Sequence, residues 1–308
     1  MVDIIGKRYW FFLISGLVIV PGLISLLLFG LKPSIDFTGG TLWEMTKFAQ
    51  PVDAAVVREV FAQNGVADIA VQTSEKGNEQ GVLIRSKHID SQTKAAIEAG
   101  LKARLGGYTE LRFESVGPTV GQEVTQRAQL AVGLACIGIL FYISFAFRKV
   151  PNPVRYGVCA ILALLHDVLV VVGIFSILGV LFGIEVDALF LTALLTGPIG
   201  FSVHDTIVVF DRIRENVAKY PGESFERVVN HSVLQTMDRS INTSLTVIFT
   251  LLALFLFGGV TIKYFVLAML IGIVTGTYSS VFNASPMLVI WENGEIPKFF
   301  RRLRGKTA

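Results

Sequence analysis

Tyr156–Val180 reads YGVCAILALLHDVLVVVGIFSILGV, and its only acidic, basic or imidazole side chains are the neighbours His166 and Asp167. About 20 apolar residues cross the hydrocarbon of a bilayer as a helix. This stretch is long and apolar enough to do so. The cost of placing a charge in hydrocarbon, of order 2.5–3.5 kcal/mol on insertion scales, turns the His-Asp pair toward a bundle interior or water. One segment thus predicts both a membrane-spanning fold and a polar site inside it.

Five further apolar runs extend the pattern: Phe11–Leu31, Leu130–Phe147, Ala188–Phe210, Ile241–Phe257 and Tyr264–Ile290. The first follows Lys7 and Arg8, as a signal peptide would, but it is too long for a signal core and no Ala-x-Ala site follows. It is read as a retained helix, bent at Pro21 and Gly22. The last two runs are joined by a short Gly258–Gly259 loop. Six transmembrane helices result. Across the 308 residues, 52% are hydrophobic and 17% charged, against roughly 25% charged in a soluble domain. That composition excludes a disordered chain and an ordinary soluble domain. A net charge of +3 is too small to argue for nucleic acid. Cys136 and Cys159 both lie in apolar runs and read as packed hydrophobes.

Basic residues set the expected orientation. With the N-terminus in the cytoplasm, the inner segments carry Lys7, Arg8, Arg148, Lys149 and Arg155. The loop 211–240 and the tail 291–308 add ten more, while the two short outer loops carry only Lys263. The positive-inside rule then places both termini in the cytoplasm. The domain plan is residues 1–31 for the N-terminus and helix 1, 32–127 for an outer domain, 128–290 for helices 2–6, and 291–308 for the tail. The tail KFFRRLRGK is basic with two aromatics, which suits anionic lipid and does not call for nucleic acid.

The segment Lys32–Arg127 is long enough for one small domain. Thr41–Lys47 alternates like a strand. Val52–Gln63 reads as a helix, with Pro51 before it and Gly65 after. Ala67–Thr73 and Gln80–Ser86 read as strands around a Lys76–Gly77–Asn78 turn, Asp90–Leu105 as a helix, and Thr109–Val116 as a last strand. The order β-α-β-β-α-β predicts a ferredoxin-like α+β domain between helices 1 and 2. His88 reads as a solvated surface histidine. The sequence shows no metal-ligand spacing, cofactor motif or nucleophile–base set, so neither a metal, a cofactor nor an enzyme is expected.

The polar residues inside the runs carry the functional expectation. Asp167 and Asp205 each follow a histidine, His166 and His204. Arg239 opens the fifth run, followed by Asn242, Thr243 and Thr246. Asp205 and the Arg239 region fall at similar depth, and Arg239, Asn242 and Thr246 share a helix face. A buried cluster of Asp205, Arg239 and Asn242 is therefore expected. A carboxylate with alternating access can take up and release an ion, and a moving guanidinium switches how strongly it holds a proton. The histidines can relay protons or serve as polar bundle contacts. Gly197, Pro198 and Gly200 are expected to interrupt the fourth helix. Gly272 and Gly276 form a small-xxx-small face for close packing in the sixth.

The combination resembles a known family. SIDFTGGTLWE (Ser34–Glu44), VGPTVGQE (Val116–Glu123), ALLHDVLVVVG (Ala163–Gly173), HDTIVVFDRIREN (His204–Asn216), DRSINTSLTV (Asp238–Val247) and LIGIVTGTYSSVFNASPML (Leu270–Leu288) are similar to segments of SecF. SecF is the smaller subunit of the bacterial SecD–SecF protein-export complex, in the RND superfamily of transporters. The resemblance implies an RND-type bundle paired with a SecD-like subunit, acting with the SecYEG channel and YidC on an unfolded polypeptide emerging in the periplasm. It implies that an ion-motive force, with H+ as the expected ion and Na+ as the alternative, drives late steps of export. The family's coupling aspartate and arginine fall on Asp205 and Arg239. The family usually has Asn before that aspartate, where this chain has His204. Two other functions fit less of the pattern: an RND-type exporter of small molecules or lipids, and a scaffold without ion coupling.

Overall fold

The computed structural model describes residues 2–76, 79–148 and 152–295. The Gly77–Asn78 turn, Lys149 and the basic tail from residue 296 lie outside them. The chain divides into two compact units, residues 33–129 and residues 1–32 with 130–308.

In the first unit, a one-turn helix Ile35–Thr38 precedes β1 (Gly40–Thr46). Then follow α1 (Ala54–Gln63), β2 (Ile69–Lys76), β3 (Glu79–Ser86), α2 (Ser91–Leu105) and β4 (Thr109–Val116). Aspartates start both longer helices. Asp53 accepts from the Ala55 N–H and Asp90 from the Thr93 N–H, each at 2.8 Å, satisfying donors that the first helical turn leaves orphaned. Gly106 closes α2 at φ +74°, a conformation that glycine adopts without strain. The sheet order is β2-β3-β1-β4 with every neighbouring pair antiparallel.

Alternation puts Trp43, Met45, Val82 and Ile84 on the sheet face that the helices cover. There they meet Val57, Val60, Phe61, Ile97 and Leu101. Trp43 is fully buried, meets Phe113 edge-to-face at 5.0 Å, and donates its indole N–H to Glu110 at 2.9 Å. Trp43→Ala should destabilise this unit by about 3–5 kcal/mol. Hydrogen exchange on the purified chain checks this, with protection lost in β1–β4 and retained in the other unit. His88 is exposed, and its Nδ1 lies 2.9 Å from the Ser115 hydroxyl.

The second unit holds the apolar helices. Among the described residues six helices are long and apolar enough to cross a membrane: Ile5–Phe29, Pro118–Ala146, Pro153–Phe182, Ala188–Lys219, Phe225–Phe257 and Lys263–Glu292, called spans 1–6. Several outrun the apolar runs of the sequence. Span 2 begins at Pro118, so residues 118–127 are helix. Span 4 continues to Lys219 and span 5 begins at Phe225, so the loop 211–240 is mostly two helical extensions around Pro221–Gly222. Such ends are amphipathic rather than apolar, and hydropathy alone stops short of them.

Span 1 stays helical through Pro21. Gly22 there lies against Gly173 of span 3, so close that a Cβ on either would come within 2.8 Å of the other's Cα. Spans 3, 4 and 6 bury about half of their apolar windows, while spans 1, 2 and 5 leave most of theirs exposed. Cys159 is buried and Cys136 half-buried, both as free thiols. At one end of this unit, Arg8 bridges Glu226 at 2.8 Å and Glu295 at 2.7 Å, and Arg155 pairs with Glu292. These pairs tie the starts of spans 1, 3 and 5 to the end of span 6.

Candidate functional site

Asp167 lies midway along span 3 and is fully buried. A charge there demands donors, and the neighbouring spans supply them. Ser202 of span 4 donates to Oδ2 at 2.5 Å and Ser279 of span 6 donates to the same oxygen at 2.6 Å. His166 Nδ1 lies 2.9 Å from Oδ1, and its Nε2 lies 3.0 Å from the Ser15 hydroxyl of span 1. Asn283 of span 6 donates to Ser15 at 3.0 Å. The Ser15 hydroxyl also donates to Asn283 Oδ1 at 3.3 Å, so Asn283, Ser15 and His166 form a continuous chain of polar contacts that ends on Asp167. Four spans therefore converge on one carboxylate.

Close approach makes this possible. A Cβ on Gly276 would lie 2.7 Å from Ser202 Cβ, and one on Gly272 would lie 2.5 Å from Pro198 Cδ. A Cβ on Gly197 would lie 3.5 Å from Met269 Cα and 4.0 Å from Gly272 Cα. A Cβ on Gly197 would thus find ordinary van der Waals contact, and it is Gly272 and Gly276 that set the spacing of spans 4 and 6. Gly200 does not: it is exposed, and a Cβ there would meet only the Leu195 carbonyl of its own helix.

The fourth span is not interrupted at these residues. Leu195–Phe201 is a π-helical turn inside a continuous helix. Proline has no N–H to give, and the wider turn absorbs the missing bond without breaking the helix. A second π-helical turn, Ser280–Ala284, follows Ser279 in span 6.

Asp205 is buried at 5% exposure, and among the described residues its hydrogen bond comes from Ser240 at 3.4 Å. The expected cluster with Arg239 and Asn242 does not form. Arg239, Asn242, Thr243 and Thr246 are all exposed, and among the described residues no ion pair joins Arg239 to Asp205. They do share one face of span 5, but Ser240 and Ser244, spaced i,i+4, form the face turned inward. Thr243 and Thr246 return their hydroxyls to the carbonyls of Arg239 and Asn242 at 2.9 and 2.8 Å. His204 is likewise exposed, whereas His166 is buried beside Asp167.

Sequence reasoning missed Ser15, Ser240 and Asn283 as site residues, and took Ser202 and Ser279 only as neighbours of motifs. A serine in an apolar run is common, because it can bond its own helix. Asn283, a larger amide in the midst of span 6, is the one whose polarity among apolar neighbours could have found it.

Six apolar helices around buried carboxylates, with a separate α+β unit, define a polytopic helical membrane protein with a polar core. The comparisons narrow the class. The model of the family "Protein export membrane protein SecD/SecF, C-terminal" matches residues 97–294. The chain is 58% identical to the protein translocase subunit SecF of Thermobaculum terrenum, over 100% of this chain and 99% of that one. It is 36% identical to the protein translocase subunit SecDF of Bacillus subtilis, over 96% of this chain but 39% of that protein. The crystal structure of SecDF from Thermus thermophilus, a translocon-associated membrane protein, is similar with a TM-score of 0.77 and 31% identity. The match covers 95% of this chain, which spans only 39% of that one. The chain belongs to the SecD/SecF protein-export family and resembles its SecF members along their whole length.

Proposed function

We propose that this chain is the SecF-like subunit of a bacterial protein translocase, and that it couples an ion-motive force, with H+ as the expected ion, to late steps of polypeptide export. The observation that carries the reading is Asp205, a carboxylate buried in a membrane span and held by one long hydrogen bond. A carboxylate so placed can change its bound ion without dismantling a network, unlike Asp167 with its three donors. The unit 33–129 serves as a ferredoxin-like domain on the periplasmic side, with both termini in the cytoplasm. The protein works as a transport subunit and not as an enzyme.

A SecD-like subunit completes the membrane part. SecD-type and SecF-type sequences are fused in the SecDF relatives, which supports such a pairing. The exposed polar face supports it physically. Thr192, Thr196 and His204 on span 4, with Asn242, Thr243, Thr246 and Thr250 on span 5, are exposed in this chain. The threonine hydroxyls bond carbonyls of their own helices, but the His204 imidazole and the Asn242 amide need partners in hydrocarbon, and a second bundle supplies them. Contacts with SecYEG and YidC, an unfolded polypeptide outside and anionic lipid at the tail complete the reading.

The test uses inverted membrane vesicles that lack the native complex and are supplied with this chain and its partner. An arrested export intermediate is freed of ATP, then given a proton or a sodium gradient. Completion under one gradient supports coupling and names the ion. Completion under neither, from an assembled complex, overturns it.

Arg239→Glu probes the partner face separately. Arg239 is exposed, so the purified chain should keep its stability to within about 0.5 kcal/mol. Recovery of the SecD-like subunit by affinity purification should fall sharply, because a like or unpaired charge in a buried interface costs about 2–5 kcal/mol. Undiminished recovery would remove Arg239 from that interface.

A further inference from the structure

The two π-helical turns meet at one carboxylate. Leu195–Phe201 ends at the residue before Ser202, and Ser280–Ala284 begins at the residue after Ser279. Those two serines both donate to Asp167 Oδ2. π-helical turns make up well under 1% of residues in globular proteins and concentrate at functional sites. Two of them flanking the donors of a single buried oxygen is a specific arrangement.

A π-helical turn carries about one residue more than an α-turn, so its conversion to α rotates the helix beyond it by about 100°. In span 4 the helix beyond it carries Ser202 and, three residues later, Asp205. Residues three apart share a helix face, so the direction of Ser202 fixes the direction of Asp205. Ser202 points at Asp167 and Asp205 points at Ser240. A rotation by one residue would carry Asp205 off Ser240 and bring a neighbour, His204 or Thr206, into its place.

The geometry points to Asp167 as a positioning residue for Asp205: by accepting from Ser202 and Ser279 it pins both π-helical turns, and the turn in span 4 sets the rotation that aims Asp205 at span 5. The inference rests on the reading of Asp205 as the coupling group. The surrounding contacts agree with it. Gly272 against Pro198 and Gly276 against Ser202 seat span 4 on span 6 at the middle of the turn and just past its end. His166, Ser15 and Asn283 hold the other side of Asp167 and keep the carboxylate from following the serines.

The test reads the rotation directly. In the full chain with Cys136 and Cys159 replaced by alanine, a single cysteine is placed at His204, which is exposed, or at Thr206, which is buried. Each is labelled with a membrane-permeant maleimide in detergent. With Asp167, Ser202 and Ser279 intact, position 204 labels fast and position 206 slowly. In the Ser202→Ala/Ser279→Ala variant the 204-to-206 labelling ratio should fall about tenfold or more, the population shift expected for two lost hydrogen bonds. Should that variant not fold, each single serine variant carries the same measurement, with a fall of about threefold or more expected. A purely structural role would lower the melting temperature and leave the ratio unchanged, and an unchanged ratio in the folded variants overturns the proposal. Gradient-driven export separates this from the reading beneath it. A shifted ratio with export lost supports both. A shifted ratio with export intact supports the positioning and overturns the coupling role of Asp205.

Discussion

Asp205→Asn should leave the chain folded and reduce gradient-driven completion of export to the level of vesicles without the complex. The substitution is nearly isosteric, and an amide oxygen can still accept from Ser240, now 3.4 Å away. It also removes the cost of a charge in a site at 5% exposure. Stability should therefore change by no more than about 1 kcal/mol in either direction. The function loses what an amide cannot supply, since no amide binds and releases a proton near neutral pH or neutralises a cation. The melting temperature of the purified chain and the completion assay check the two halves. A variant that melts normally and still completes export under a gradient would remove Asp205 from the coupling path. The same substitution at Asp167 removes charge from a carboxylate with three donors, so its effect falls on structure as well.

Much of this architecture was legible because it rests on composition and period. Six apolar runs needed no tertiary information, since lipid forces each to close its own backbone hydrogen bonds as a helix. The unit 33–129 was legible from alternation in Thr41–Lys47 and from Pro51 and Gly65 at the ends of its first helix. The failures share a different cause. Arg239, Asn242 and Thr246 lie on one face, as their spacing requires, yet spacing does not say which way a face turns. If the proposed partner bundle packs on span 5, both of its faces are buried, so polarity gave no direction. Ser240, one residue from Arg239, took the inward position. The π-helical turn at Leu195–Phe201 was hidden for another reason. Gly-Pro-Ile-Gly has the composition of a break, and only the backbone, which passes through it as a π-helical turn, shows that the helix continues. The Asp167 network was half legible. The carboxylate announced itself, but its serine donors are ordinary residues of apolar helices until three dimensions bring them together.

Gly272→Leu should abolish folded, monodisperse protein, and Gly272→Ala should already lower the melting temperature measurably. A Cβ at residue 272 would lie 2.5 Å from Pro198 Cδ, 2.8 Å from its Cγ and 3.1 Å from its nitrogen. A proline ring cannot swing aside as a long side chain can, so spans 4 and 6 must separate. Separation breaks more than that contact. It draws Ser202 and Ser279 apart, and both must reach the same oxygen of Asp167. Added methylenes in a tight core cost about 1–3 kcal/mol, and loosening donors of a buried charge adds about 1.5–3 kcal/mol for each bond lost. Leucine at 272 thus threatens the whole of a marginal stability of about 5–15 kcal/mol. Gly138→Leu on span 2 is the control. Gly138 is exposed, with nothing within 4 Å of a Cβ, and should tolerate the change. A second-site test isolates the cause. Pro198→Ala removes the ring atoms that the new Cβ would strike, so Gly272→Ala should cost less in a Pro198→Ala background. The double-mutant cycle should yield a coupling of about 1–3 kcal/mol. Strict additivity would mean that glycine at 272 is needed for its own backbone, and that its contact with span 4 does not set the spacing.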